Sequence, residues 1–309
     1  MSEATQDPLG EHDDIVAGFQ VEGRAVRGRI IRLGPVIDQI LSAHDYPEPV
    51  ARMLGEAIMI AALIGNALKF EGRLIVQANG KGPMAFVVAE YVTGEGVRGY
   101  AKIDREAFEQ AAAARAEGTS WVQTLLGDGM LALTIDQGDK MDRYQGVVPL
   151  EGETLAACAE TYFQQSEQTP TRLRVAVGEE WDAQGRRWRA GGALLQAVAG
   201  DETRGSVDED WEHCRVLFDT LEDSELLDSD LSAGALLYRL FNEDGVRIFE
   251  PTSLQRRCAC DHERLKRIIA SFSEDDQAHM VRDGEVVMTC EYCNRDWRFS
   301  EEEVKAVRS

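Results

Sequence analysis

LIVQANGKGPMAFVVAEYVTGEGVRGYAKI, residues 74–103, reads as three strands in immediate succession. Apolar and β-branched residues fill 74–78, 84–92 and 97–103. Between them lie only Asn79-Gly80-Lys81-Gly82-Pro83 and Thr93-Gly94-Glu95-Gly96. Connections this short and rich in glycine cannot hold a crossover helix, so neighbouring strands must run antiparallel. Gly80-Lys81-Gly82-Pro83 superficially suggests a phosphate cradle, but a chain reversal explains it better. A second pair of strands is expected at 131–135 and 146–150.

Helices flank this block. Gly34-Pro35 opens a short one toward residue 43. A longer one starts near Pro47 and Pro49, where proline suits a first turn. It carries Met53, Ala57, Ile60, Ala61 and Ile64 at a helical repeat. Its apolar window, 57–68, is too short to span a bilayer and reads as a buried core helix. Further helices are expected at 107–116 and 153–165, and further strands at 25–33 and 172–177. Strands and helices in this irregular order predict an α+β fold, a mixed N-terminal domain with an antiparallel sheet.

The chain has 309 residues, a 44% hydrophobic fraction and a formal net charge of −22. That is enough for a sizeable core and more than one domain. The acidic balance argues against a nucleic-acid partner and against anionic membrane surfaces. Residues 1–14 are polar and acidic, without the basic start and apolar run of a signal peptide. The expectation is a soluble, cytoplasmic protein whose clustered cysteines serve metal or redox chemistry.

Three domains are expected: 1–200, 201–248 and 249–309. The middle one is set apart by composition. Ten acidic residues fall between 208 and 230, with Arg215 the only opposing cation in that stretch. Yet Trp211, Cys214, Leu217, Phe218 and Leu221 recur at helical spacing, as do Leu236, Leu237, Leu240 and Phe241. These are short amphipathic helices with acidic outer faces. Like charges within a turn or two destabilise a helix, so such helices need a surface to dock on.

The last segment holds Cys258-Ala-Cys260 and Cys290-Glu-Tyr-Cys293, with 29 residues between the pairs. Four thiolates can close a tetrahedral zinc site, or two neighbouring pairs can oxidise to disulfides. The second pair follows strand-like 285–289 and precedes Trp297-Arg298-Phe299, which puts it at a hairpin tip. Asn294 after it tolerates the left-handed conformation such a tip requires. The first pair precedes a helix expected at 261–272, whose N-terminus favours thiolate at both sulfurs. A segment this small needs a metal or a covalent staple. From the residues alone, a permanent structural zinc and a redox switch both stand. His262 and His279 read as surface residues, and Cys158 and Cys214 as small buried apolar ones. Catalysis has little support: there is no P-loop, no G-x-G-x-x-G and no His-x-Glu element of a zinc deaminase.

Arg257-Cys-Ala-Cys-Asp-His-Glu-Arg264, Asp283-Gly284-Glu285, Tyr144-Gln-Gly-Val-Val148, Tyr162-Phe-Gln-Gln-Ser-Glu-Gln168 and Gly80-Lys-Gly-Pro83 together resemble the 33 kDa chaperonin family of redox-regulated heat-shock chaperones. The resemblance runs over nearly the whole chain. It implies a substrate-binding domain (1–200), a metastable helical linker (201–248) and a C-terminal zinc-binding redox-switch domain (249–309). It implies no enzyme but an ATP-independent holdase of the stress response, supporting protein refolding. One Zn²⁺ per chain is held by Cys258, Cys260, Cys290 and Cys293 in the reduced, inactive form. On oxidation the resemblance implies disulfides Cys258–Cys260 and Cys290–Cys293, loss of zinc, linker unfolding, a homodimer and capture of unfolding clients. Readings from other classes are a constitutive zinc-module adaptor, whose metal survives mild oxidant, and a thiol or zinc enzyme, which needs an open coordination position.

Overall fold

The computed structural model describes residues 13–68, 71–138, 141–182, 185–198, 207–300 and 302–304. Most of the acidic N-terminus and the first residues of the acidic segment, 201–206, lie outside the described residues. Two compact units are present. One comprises 1–42 and 46–256, the other 43–45 and 257–309. The acidic segment and the strands after it thus pack within the first unit.

The first unit begins with β1 (Ile15–Val21) and β2 (Val26–Leu33), an antiparallel hairpin. Then come α1 (Pro35–Leu41) and α2 (Glu48–Ala67), both with proline in the first turn. Next are β3 (Arg73–Gly80), β4 (Met84–Val92), β5 (Gly96–Ile103), α3 (Arg105–Ala114), α4 (Trp121–Leu125), β6 (Gly129–Asp136) and β7 (Tyr144–Pro149). Strand order β5-β4-β3-β6-β7 makes one antiparallel sheet, with both expected strand groups joined through β3 and β6. The Gly80-Lys-Gly-Pro83 turn is packed against the end of α4. Gly82 N–H donates to Leu126 O at 2.9 Å and Lys81 N–H to Asp128 O at 3.2 Å. A Cβ at Gly80 would sit 2.0 Å from Leu126 O. Those donors are spent on the protein, as a chain reversal requires.

Helix α5 (Leu155–Tyr162) runs into a π-helical turn, Phe163–Glu167, that ends at left-handed Gln168. β8 (Thr171–Asp182) and β9 (Gly185–Ala197) form a long hairpin. With β1 and β2 they build the second antiparallel sheet. Helix α2 lies between the two sheets, against β3, β4 and β5 on one side and β2, β8 and β9 on the other. It is the one helix among the described residues long and apolar enough to cross a membrane, and 83% of its apolar window is buried in this core. Glycine makes the close fit possible: a Cβ at Gly65 would meet the Tyr91 ring at 2.3 Å, and one at Gly55 the Val177 side chain at 2.7 Å.

The acidic segment forms α6 (Val207–Phe218), α7 (Asp223–Leu227) and α8 (Ala233–Phe241). Their apolar stripes cover the other face of the second sheet. Cys214, Phe218, Leu236, Leu237 and Phe241 form one cluster with Phe19, Val21, Ile30 and Leu195. The docking surface that the sequence required is therefore this sheet. β10 (Val246–Ile248) and β11 (Thr252–Ser253) then pair with β1.

The second unit contains α9 (His262–Ala270), α10 (Glu274–His279), β12 (Val281–Arg282), β13 (Glu285–Thr289) and β14 (Asp296–Phe299). Its three strands are antiparallel in the order β12-β13-β14. Asp283 and Gly284, both at positive φ, close the first hairpin in the manner of an Asp-Gly turn. The core is small: Leu265, Ile269, Val286, Phe299 and Val304.

Candidate metal centre

Local chain geometry brings the four cysteines together. Asp261 caps α9, its carboxylate accepting from Arg264 N–H at 2.8 Å, so Cys258 and Cys260 lie on the extended approach to the helix. Cys290 and Cys293 occupy the β13–β14 tip. There Cys290 N–H donates to Arg295 O at 3.0 Å, Asn294 N–H donates to Cys290 O at 2.8 Å, and Asn294 sits at φ 53°. That left-handed residue turns the chain so that both sulfurs face the first pair.

All four sulfurs lie within 4.8 Å of one another. The Cys258–Cys290 and Cys260–Cys293 separations are 3.7 and 3.5 Å, and Cys258–Cys260 is 2.9 Å. Four sulfurs at zinc–thiolate distance, tetrahedrally arranged, stand about 3.8 Å apart. Two edges already match, and all four thiols are free and half-buried. Burial opposes ionisation at Cys258, Cys260 and Cys293. At Cys258 the hydrogen bonds from its neighbours, Cys260 first, outweigh burial and hold the thiol below its usual range. At Cys260 burial and the adjacent sulfurs push it well up, and Cys293 is also raised, chiefly by burial. A first negative charge resists the next, and a divalent cation is what would let all four ionise. The donor set fits a closed, four-sulfur zinc site.

Neither histidine joins this cluster. His262 packs on the Phe299 ring, centroids 4.5 Å apart, and His279 Nδ1 lies 2.6 Å from Asp275 O within α10. Cys158 in α5 and Cys214 in α6 are buried in the first unit. Burial pushes both thiols up, Cys214 to about 12, which makes them poor thiolate nucleophiles.

A second constellation holds the acidic segment, and sequence reasoning did not find it. Arg24, in the β1–β2 turn, donates from Nε and Nη2 to Asp244 Oδ1 at 2.8 and 2.7 Å and from Nη1 to Asp210 Oδ1 at 3.1 Å. Ala25 N–H donates to Asp210 Oδ2 at 3.0 Å, and His213 Nε2 lies 2.7 Å from Asp244 Oδ2. Arg172 and Arg174 on β8 pair with Asp219 and Asp223 at 2.8 and 2.9 Å. The helices that look self-repelling in sequence are met by arginines from the sheet. One sign was available: Asp210 shares its helix face with Cys214 and Phe218, and an acid in an apolar stripe implies a buried partner.

The family model described as Hsp33 protein matches residues 14–300. The 33 kDa chaperonin of Caulobacter vibrioides (strain NA1000 / CB15N) is 52% identical over 290 residues, covering 94% of this chain and 95% of that one. The 33 kDa chaperonin of Shigella flexneri serotype 5b is 35% identical over 302 residues, covering 97% and 98%. The crystal structure of a 33 kDa chaperonin (heat shock protein 33 homolog) from Thermotoga maritima superposes with a TM-score of 0.76 at 24% identity, over 95% of this chain and 97% of that one, and shows the same fold. With its sequence matched almost from end to end, this chain belongs to the Hsp33 family.

Proposed function

We propose that the protein is an ATP-independent holdase chaperone, switched by oxidation of Cys258, Cys260, Cys290 and Cys293. The convergence of these four sulfurs in a unit with so small a core is the observation that carries the reading. Bound Zn²⁺ supplies a cross-link among four thiolates, and structural zinc in small sites has an apparent binding free energy of about 10–16 kcal/mol. A core of this size supplies no more than about 3–5 kcal/mol.

A peroxide accepts two electrons from each thiolate pair. Bonds form between the sulfurs of Cys258 and Cys260 and between those of Cys290 and Cys293; with two protons per pair, the peroxide oxygens leave as water or alcohol. Sulfurs so joined no longer offer thiolate ligation. The C-terminal unit then loses its fastening, and the acidic segment, joined to it through the chain, loosens in turn. Its departure uncovers Phe19, Val21, Ile30 and Leu195 together with the apolar stripes of α6 and α8. A large apolar surface of that kind takes up unfolding clients and a second copy of the chain. The linker is 201–248 and the switch domain 249–309 in this reading, and the site of action is the cytoplasm.

The test measures zinc released by peroxide at mild heat alongside light scattering from a heat-denaturing client. Metal loss together with suppressed client aggregation is expected. Metal loss with unchanged aggregation would sink the proposal.

A further inference from the structure

Two sequence motifs take no part in the thiol chemistry, and the fold brings them together. Gly146 of Tyr144-Gln-Gly-Val-Val148 lies under the ring of Tyr162, where a Cβ would come within 2.0 Å of a ring carbon. The Tyr162 hydroxyl donates to Glu167 Oε1 at 2.8 Å, and the Tyr144 hydroxyl reaches the same oxygen at 3.5 Å. Burial, then hydrogen bonding with Tyr144 and Glu167, holds the Tyr162 phenol far above its ordinary range, so it remains a donor. The carboxylate sits on the π-helical turn, just before left-handed Gln168. Backbone irregularities of both kinds cluster at functional sites.

Beside this turn is a cavity of about 130 Å³. Ile64, Leu74, Leu133 and Ile135 line it with aliphatic surface, and Arg27 and Glu167 are the charged groups on its wall. Arg27 has no ion-pair partner, and Glu167 Oε2 no hydrogen-bond partner, among the described residues. A water needs at least about 10–15 Å³ of such space, so the cavity has room for a branched aliphatic side chain of about four carbons.

We infer that this cavity binds a small zwitterion with an aliphatic body, of the class of a free branched-chain amino acid. The side chain fills the aliphatic pocket, the ammonium meets Glu167, and the carboxylate meets the Arg27 guanidinium, a pairing suited to two parallel hydrogen bonds. The site is independent of the thiol switch and stands whether or not that reading holds.

The test titrates L-leucine into the full-length reduced protein by calorimetry, with thermal shift as a second readout. Saturable binding is expected. Arg27→Met and Glu167→Gln should each weaken it at least tenfold while leaving the circular dichroism spectrum unchanged. Leucinamide, which lacks the carboxylate, should bind the Arg27→Met variant as it binds the parent. N-acetylleucine, which lacks the ammonium, should be equally indifferent to Glu167→Gln. Should either charge variant fail to fold, Ile135→Phe fills the cavity instead and should abolish leucine binding without lowering the melting temperature. No saturation at concentrations up to about 10 mM, undiminished binding in the variants, or saturation by a Leu-Gly dipeptide but not by leucine would overturn the assignment.

Discussion

Replacing Arg24 with Met removes the cation on which two carboxylates of the acidic segment converge, while the methionine keeps much of the apolar stem. The side chains of Asp210 and Asp244 are 8% and 9% exposed, and that of Arg24 is 32% exposed. Breaking a buried ion pair from one side costs about 3–5 kcal/mol, because the remaining charge is stranded. Here water reaches the arginine, Asp210 keeps the Ala25 amide, and Asp244 keeps His213. The cost is therefore about 2–3 kcal/mol, taken from the docking of α6 and the turn after α8. At about 1.4 kcal/mol per factor of ten, local opening rises roughly 30- to 150-fold. Hydrogen–deuterium exchange of the reduced, metal-loaded protein reads this directly. Amides in 207–244 should exchange faster by that factor, while those of β3 to β7 keep their protection and the zinc content is unchanged. An acceleration below about threefold, or one spread equally over β3 to β7, would refute the reasoning, since the clasp would then be weak or its loss global.

Glu56 is half-buried on α2 and accepts from the Ala156 amide at 2.8 Å; burial pushes its carboxyl up to about 7. A raised carboxyl favours the protonated fold, so the contribution of Glu56 to stability is complete below about pH 4.5 and is lost as pH rises through about 7, by at most about 3 kcal/mol. Glu56→Gln should flatten that slope in urea unfolding at the two pH extremes, and an unchanged slope would count against it. Converting Cys158 and Cys214 to Ser should leave peroxide-driven zinc loss and client protection in place at some expense of stability; loss of the response would show that these thiols take part. Gly191→Ala forces a Cβ to within 2.0 Å of Leu226 O. It should lift α7 from β9 at a cost of about 1–3 kcal/mol, seen as faster trypsin cleavage within 207–241; an unaltered cleavage rate would mean the contact yields freely.

Residues 74–103 were legible because each strand alternates over a half-buried surface and each turn carries its own glycine. Helix α2 was legible from its repeat and its prolines. β9 was not. It is buried on both faces, so alternation disappears, and Gly191-Gly192 weakens any strand signal, although the first glycine is there to admit the Leu226 carbonyl. β1 was missed too, and its partners, β2, β10 and β11, include strands more than 200 residues away. The cysteine pairs announced themselves by spacing alone, and the hairpin tip and the Asn294 turn followed from local chemistry. The arginine clasp could not be read in the same way. Arg24 and Asp210 are 186 positions apart, and no local pattern marks which arginine answers which acid.

The order in which the partners of α2 are made has a consequence for biosynthesis. This helix is complete at Ala67, but its last covering strand, β9, ends at Ala197, 130 residues later. At a ribosomal pace of about 5–20 residues per second, an apolar rod of 20 residues waits roughly 7 to 26 s for its full enclosure. During that interval the nascent chain is itself the kind of sticky polypeptide that other folding factors must shelter.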